Sequence, residues 1–430
     1  MKKLNFFFHT LGCKVNQYET QALREHLSAL GHTCDSALPI DAIIINSCTV
    51  TAESDRKTRQ LLRRLRRENP DAVIVLTGCM VQAFPDAAAA LNEADIVVGN
   101  TDVLKSVSLI EEYLKTPSRI FGVAPHETGE EYCTPAISAF SERTRAFMKI
   151  EDGCNRFCSY CIIPYARGRV RSRSLDGIKA EAVSLAENGF KEIVLTGINL
   201  SAYGLKEDFD LCDAVDTVCA VEGIERVRLG SLEPDHITDA MLARFAAQEK
   251  FCPQFHLSLQ SGCDDTLRRM NRHYDSAFYI DLVTRIRAVF PDAAITTDVM
   301  VGFAGEDERE FGESLDFVRR VGFARAHIFA YSVREGTAAA RFPNQVTNAQ
   351  KEERARMMSD AVKYSETEFL KKQCLKTHDV LFEEHKDGIA EGYTANYTRV
   401  QVKTDRMLNG MILPVRLTDV IGDCCVGELI

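Results

Sequence analysis

No stretch of the 430-residue chain approaches the roughly 18 to 20 consecutive apolar residues of a membrane-spanning helix. The opening MKKLNFFFHTLGCKVN imitates a secretory signal, with lysines before a short apolar run, but His9, Lys14 and Asn16 break it too early. The expectation is a cytoplasmic protein without a membrane partner. Excess positive charge is also missing. The formal net charge is -10, which excludes bulk attraction to nucleic acid and leaves such a role to local patches. Near the densest cysteine motif there is no second C-x2-C and no H-x3-5-H, so a closed four-ligand zinc site lacks its complement there.

Cysteine itself is abundant. With 45% hydrophobic and 27% charged residues the chain can build two or three ordinary cores, so its 15 cysteines are not needed as staples. In a reducing compartment they point to metal or redox chemistry. Cys34, Cys133, Cys212, Cys219, Cys252, Cys263 and Cys374 stand singly and read as small buried hydrophobes. Cys424 and Cys425 are neighbours on an expected strand and would point to opposite faces.

From residue 4 to about 114, strand-like and helix-like patterns alternate: LNFFFHTLG, a helix over 17–30, DAIIINSCTV, a helix over 52–68, DAVIVLTGC and ADIVVGN. This predicts a parallel α/β domain over residues 1–115. Cys13, Cys48 and Cys79 each follow the end of a strand. Open α/β sheets bind ligands outside that carboxyl edge, so the three should converge. The helix over 52–68 concentrates arginine, and Arg63, Arg64 and Arg67 are candidates for RNA phosphates, although such runs are usually a solvated face.

After a linker over 116–139, the alternation recurs six times across residues 140–365: RAFMKIEDGC, KEIVLTGIN, RVRLGSLEP, QFHLSLQSG, AAITTDVMVGF and ARAHIFAYS. Six parallel strands with outer helices predict a partial (β/α)6 barrel whose reactive face is the carboxyl one. Thr196, Asn199, Ser231, Glu233, Gln260, Asp298 and the Gly302/Gly305 turn all fall at strand ends, as the rim of one pocket should. CNRFCSYC, residues 154–161, sets Cys154, Cys158 and Cys161 in C-x3-C-x2-C spacing. Three thiolates suit a cubane iron-sulfur cluster whose fourth iron stays open to a substrate or cofactor.

That motif, with Tyr160 before its last cysteine, resembles the radical S-adenosylmethionine signature. The resemblance implies a 4Fe-4S cluster that binds S-adenosylmethionine, passes it an electron and cleaves it to methionine and a 5'-deoxyadenosyl radical. VGFAGE, residues 301–306, is similar to the family's glycine-containing stretch beside the cofactor's adenine. The whole chain is similar to the methylthiotransferases, whose amino-terminal domain binds an auxiliary 4Fe-4S cluster through cysteines placed like Cys13, Cys48 and Cys79. TLGCKVNQYET, residues 10–20, most resembles the branch acting on threonylcarbamoyladenosine at position 37 of tRNA. Other branches act on isopentenyladenosine in tRNA or on a ribosomal protein. The family implies two S-adenosylmethionine molecules, a radical directed at an unreactive carbon–hydrogen bond of the adenine, and external electron and sulfur donors. Both clusters should face one pocket, with the carboxyl edges of the two sheets apposed. A metal-stabilised RNA-binding or electron-carrier protein, or a radical methylase, stands as the rival reading.

Residues 366–430 switch to short alternating strands, HDVLFEEH, IAEGYT, TRVQVKT, MILPVRLTDV and CCVGELI, which predict a small antiparallel barrel. It is similar to the RNA-binding TRAM domain, with Tyr393, Tyr397 and Arg399 as contacts for the tRNA anticodon stem-loop. Packing of a small core accounts for the tyrosines equally well. YARGRVRSR, residues 165–173, carries Arg167, Arg169, Arg171 and Arg173 in alternation. If extended, it sends all four to one side, beside the cysteine loop, to guide an RNA backbone. The expected whole is an α/β multidomain protein ending in an all-β unit.

Overall fold

The computed structural model describes residues 3–102, 104–140 and 143–430. Its first sheet is fully parallel and runs in the order β1 (Phe6–Thr10), β2 (Ala42–Ser47), β3 (Val73–Gly78), β4 (Ile96–Val98), β5 (Ile120–Gly122). The fifth strand comes from the segment expected to be linker, so residues 116–139 are partly built into the sheet. β2 and β3 are buried at every position, which is why AIIINS and VIVLTG are nearly unbroken apolar runs. Helix Lys14–Ala29 packs Leu23 and Leu27 on one face of the sheet, and helix Ala52–Glu68 packs Leu62 and Leu65 on the other.

A one-residue pairing explains why the two helices part. Thr33 bridges to Asn5 in parallel. Its bonds go to Leu4 and Phe6, whereas Asn5 and its neighbours turn the other way, toward Asp41 and β2. The chain thus leaves β1 on one side, touches the sheet beyond it, and returns to β2 on the opposite side. The order reverses between β1 and β2, and that gap is a topological switch point, where such sheets bind ligands.

The central unit is a parallel arc. β6 (Ala146–Lys149) leads to a short antiparallel pair, β7 (Glu151–Asp152) and β8 (Arg171–Ser172), and then to β9 (Glu192–Thr196) and β10 (Arg226–Leu229). β11 (Ser231–Leu232), β12 (Gln254–Leu257), β13 (Ala294–Val301) and β14 (Arg325–Ala330) complete it. Pairing runs β6-β9-β10 and β11-β12-β13-β14, with Gly230 between the two runs donating its N–H to Leu195 at 2.9 Å. Six strand segments with outer helices form the expected partial barrel. Val227 and Leu229 join the core under the helices, so Arg226 and Arg228, in alternation with them, face the lumen side.

Helix Asn348–Gln373 runs through residue 365 and shares its surface between the arc and the tail. The tail closes into a barrel of β15 (Thr377–Lys386), β16 (Ile389–Thr394), β17 (Arg399–Lys403), β18 (Ile412–Ile421) and β19 (Cys424–Leu429). One expectation is corrected here: β17 and β19 pair in parallel, so the barrel is not wholly antiparallel. Its turn docks on β10, where Arg226 donates to the carbonyls of Asp379 (2.6 Å) and Tyr393 (3.0 Å) and Arg228 to those of Ala395 (2.8 Å) and Thr394 (3.3 Å). Of the single cysteines, Cys34 and Cys133 are exposed, against expectation. Among the described residues no helix is long and apolar enough to cross a membrane.

Candidate metal centres and the cavity beside them

Cys13 caps helix Lys14–Ala29, Cys48 follows β2, and Cys79 opens the helical turn Cys79–Ala83 directly after β3. Gly78, at φ +98°, makes the last of these turns possible. A Cβ there would lie 2.5 Å from Asn46 Oδ1 and from the Ser47 carbonyl, closer than any side chain tolerates. Asn16 gathers the trio: its Oδ1 lies 3.8 Å from Cys13 Sγ and 4.0 Å from Cys79 Sγ. A Cβ on Gly12 would stand 3.1 Å from Cys48 Sγ. The three thiols therefore meet at the switch point.

Cys154, Cys158 and Cys161 occupy the loop after β7. Cys154 Sγ accepts from the Arg156 backbone N–H (3.5 Å) and lies 3.8 Å from Asn199 Nδ2, while Arg272 Nη1 reaches Cys158 Sγ at 3.3 Å. Burial pushes the Cys79 and Cys154 thiols up to about 12 and raises Cys161 as well. These groups are neutral until a cation takes their protons' place.

The donor sets fit polynuclear clusters better than single ions. Among the described residues, the grouping of three thiol, imidazole or carboxylate ligand atoms within 4.8 Å of one another is Cys263, Asp265 and Glu310. Both cysteine trios are thus wider than the roughly 3.8 Å sulfur spacing that tetrahedral bonds to one zinc impose. The Cys263 group is tied up by arginines, with Arg269 2.6 Å from Glu310 and Arg309 3.0 Å from Asp265. Around the barrel trio, Asn199 Oδ1, Gln260 Oε1 and Glu151 Oε1 are buried without a protein partner. They are acceptors facing a loop built to hold a guest.

The carboxyl edges of the two sheets meet. Arg167, fully buried, donates to Cys79 Sγ (3.1 Å), Asn16 Oδ1 (2.7 Å) and Glu19 Oε2 (3.0 Å). Lys149 Nζ joins Glu19 (2.8 Å) to Asp152 (2.6 Å). Arg334 ties the end of the arc to Asp55 at 2.7 Å. A small cavity of about 170 Å³ lies between Val50 and Thr51, in the loop after β2, and Cys161, Tyr160, Gln260 and Asp298 of the arc.

A larger cavity, about 510 Å³, fills the lumen of the arc. Arg145, Phe147, Arg228, Ser231, His256 and Asp298 line it, with Lys14 and Tyr397 closing its side. Asp298 is common to both cavities. Glu233 lies beside the barrel trio, paired with Arg272, and Thr196 ends β9 with its carbonyl accepting from Ile150.

Gly302 and Gly305 form the turn after β13 and are not among the residues lining either cavity. Gly302 donates to Glu306, a Cβ on it would lie 2.4 Å from Lys351 Cγ, and Gly305 donates to the Asn344 carbonyl. The arginines of residues 167–173 do not share one side. Arg167 ends the helix Ile163–Arg167, Arg171 pairs with Glu130 and Asp152, Arg173 pairs with Glu181, and Arg169 alone is exposed, over the Phe157 ring. Arg167, Arg171 and Arg173 are spent on buried pairs and not open to RNA. Arg63, Arg64 and Arg67 are exposed, but on the last turns of their helix, its far end from Cys48. Tyr393 and Tyr397 stack on each other at 4.8 Å and against Arg145, and Arg399 is bound to Glu391 and Asp423. Each of the three is engaged within the protein, with Tyr397 also lining the lumen cavity.

The lumen cations were not anticipated, although arginines within the strands RAFMK and RVRL are a visible signal. Buried parallel strands rarely carry charge unless it is paired or functional.

A six-stranded parallel arc with a C-x3-C-x2-C loop behind its first strand defines a radical S-adenosylmethionine enzyme, and residues 148–318 match the Radical SAM superfamily. Residues 5–99 match an uncharacterized protein family, UPF0004. The chain is 38% identical to "Threonylcarbamoyladenosine tRNA methylthiotransferase MtaB" of Bacillus subtilis, over 95% of this chain and 93% of that protein. It is 33% identical to "tRNA-2-methylthio-N(6)-dimethylallyladenosine synthase" of Pelotomaculum thermopropionicum, over 97% and 95%. A solved radical S-adenosylmethionine methyltransferase, TsrM of Kitasatospora setae, shares the fold with TM-score 0.56 at 14% identity, covering 76% of this chain and 72% of that one. The chain belongs to the methylthiotransferase family of radical S-adenosylmethionine enzymes, on its MtaB branch. Membership carries S-adenosylmethionine and a 4Fe-4S cluster with it, and the barrel trio fits that cluster.

The paired carboxylates at the seam set an acid limit. Burial raises Glu19 and Asp152, but Arg167 and Lys149 overcome it and hold both below the ordinary carboxylate range. A depressed group stabilises the fold above its unfolded value, about pH 4, and that contribution disappears as pH falls through the folded value. The urea midpoint should therefore hold between pH 7 and 5 and drop steeply below about pH 4. A midpoint unchanged down to pH 3 would contradict the seam's role.

Proposed function

We propose that the chain is a tRNA methylthiotransferase that converts N6-threonylcarbamoyladenosine at position 37 to its 2-methylthio derivative. It acts in the cytoplasm on the anticodon stem-loop, with two S-adenosylmethionine molecules and two 4Fe-4S clusters. Cys154, Cys158 and Cys161 would hold one cluster, and Cys13, Cys48 and Cys79 the auxiliary one. When bound, these groups supply a carbon radical from the cofactor and a sulfur atom for transfer.

The observation that carries this reading is the meeting of both cysteine trios at one seam, beside a lumen large enough for a base. The chain's own residues orient and shield. Asn199, Gln260 and Glu151 offer buried acceptors near the barrel trio for a cationic amine such as the cofactor's. Tyr160 and Asp298 wall the small cavity beside Cys161. No nearby base is asked to remove the adenine's carbon-bound hydrogen, because that proton is not acidic enough for a side chain to take. The threonylcarbamoyl substrate is favoured over dimethylallyladenosine by the 10–20 motif and by relatives of that name at up to 38% identity. An electron donor and a sulfur donor complete the cycle from outside.

The test is anaerobic reconstitution followed by turnover of an anticodon stem-loop carrying threonylcarbamoyladenosine, with nucleoside mass spectrometry. Formation of the 2-methylthio nucleoside is expected. Modification of dimethylallyl RNA instead, or of neither, defeats the reading.

A further inference from the structure

In a chain of net charge -10, the lumen cavity is walled by cations. Arg145 pairs with Glu383 and lies 3.9 Å from Glu192, and Arg228 pairs with Glu192 at 2.7 Å. Lys14, Arg143 and Arg325 also line the cavity; among the described residues none of them has a carboxylate within 4.0 Å, although Glu366 lies close enough to Arg325 to interact with it. Lys14 and Arg143 instead sit over the Phe147 ring at 5.7 and 4.9 Å, while Arg325 opens β14 in an exposed position. Among the described residues the one carboxylate lining the cavity is Asp298, which His256 meets at 3.3 Å.

The response of Tyr397 shows the sign of this wall. Burial raises its phenol, yet Arg145, Lys14 and Arg228 overcome burial and hold it below its ordinary value. A site that favours an anionic phenol favours an anionic guest.

Given the function proposed above, on which this rests, we infer that Lys14, Arg143 and Arg325 form a subsite for the carboxylate on the substrate base. The threonylcarbamoyl group ends in a carboxylate that can pair with these cations, whereas a dimethylallyl group is apolar and offers them no partner. Arg325 and Arg145 stand at or before the starts of their strands, while the cysteine loop follows the carboxyl end. A base presenting its reacting carbon to the trios therefore directs a substituent on another ring edge toward the cations. RNA phosphates carry the same charge as the carboxylate, and comparing two RNAs that differ only in that carboxylate separates the two sources.

The experiment uses the reconstituted holoenzyme and two anticodon stem-loops, one with the threonylcarbamoyl carboxylate and one with that group replaced by carboxamide. The wild type should prefer the carboxylate RNA by about 10- to 100-fold in kcat/KM, the range of a charge-assisted hydrogen bond. The R143Q/R325Q variant should bring the two RNAs within about threefold, and R143K/R325K should restore most of the preference. Dissociation constants from fluorescence anisotropy provide a readout apart from turnover. Iron content and thermal midpoint identify a variant that has failed to fold, and there the single variant R325Q replaces the pair. Equal losses on both RNAs would assign the arginines to phosphates and overturn the inference, as would a wild type that does not distinguish the RNAs. A wild type that modifies neither RNA overturns the function itself, a separate outcome.

Discussion

On the function proposed above, alanine at Cys154, Cys158 or Cys161 should abolish both reductive cleavage of S-adenosylmethionine and methylthiolation, whereas alanine at Cys13, Cys48 or Cys79 should abolish methylthiolation and spare cleavage. The two trios sit on different frameworks. One lies on a single loop behind β7, the other on three successive strand ends of a separate sheet. Losing one ligand of a three-thiolate cage releases that cluster and leaves the other cage intact. Iron should fall from about eight atoms per chain to about four in either class of variant. The fold should tolerate the change, because truncating one small buried side chain costs about 1 kcal/mol. Iron analysis, quantification of 5'-deoxyadenosine and nucleoside mass spectrometry on the six variants decide the matter. Eight irons in a Cys79→Ala variant, or loss of cleavage along with sulfur transfer, would refute the division of labour.

The placement of both trios at strand ends is legible in the sequence because its determinants are local. A strand ends where its apolar run ends, so Cys48 and Cys79 could be placed on the carboxyl edge from AIIINS and VIVLTG alone. The switch point was not legible. It depends on one bridge, Asn5 to Thr33, and a single pairing leaves no period in the residues around it. Residues 165–173 were misread for a different reason: alternating arginines imitate a half-exposed strand. Pro164 in the first turn of the helix Ile163–Arg167, and Gly168 at φ +69° behind it, break that pattern, and both residue types are start and stop signals. Burial of Arg167 still could not be foreseen, since its partners Glu19 and Asn16 lie more than 140 positions away. Tyr393 and Tyr397 were ambiguous between base stacking and packing. The structure packs both rings on Arg145, where the tail barrel docks on Arg226 and Arg228, and no property of the tail alone contains that contact.

Methionine at Arg167 should cost about 3 to 5 kcal/mol of folding stability, the penalty for leaving buried charge without its partner. The guanidinium is fully buried and contacts Glu19 through two nitrogens, lies 3.5 Å from Asp152, and holds Asn16 and Cys79. After its removal Lys149 must serve both carboxylates alone. Methionine matches much of the volume, so the loss reports charge and hydrogen bonding rather than an empty cavity. Adding Glu19→Gln removes one stranded carboxylate and should recover about 1 to 3 kcal/mol, a coupling that independent sites would not show. Asn16 and Cys79 lose a common donor together, so the amino-terminal cluster should also be the first to lose iron on mild chelation. Urea unfolding of the wild type, both single variants and the double variant closes the cycle. A single-variant loss under about 1 kcal/mol, or strict additivity, would mean that the seam between the two sheets is held by other contacts.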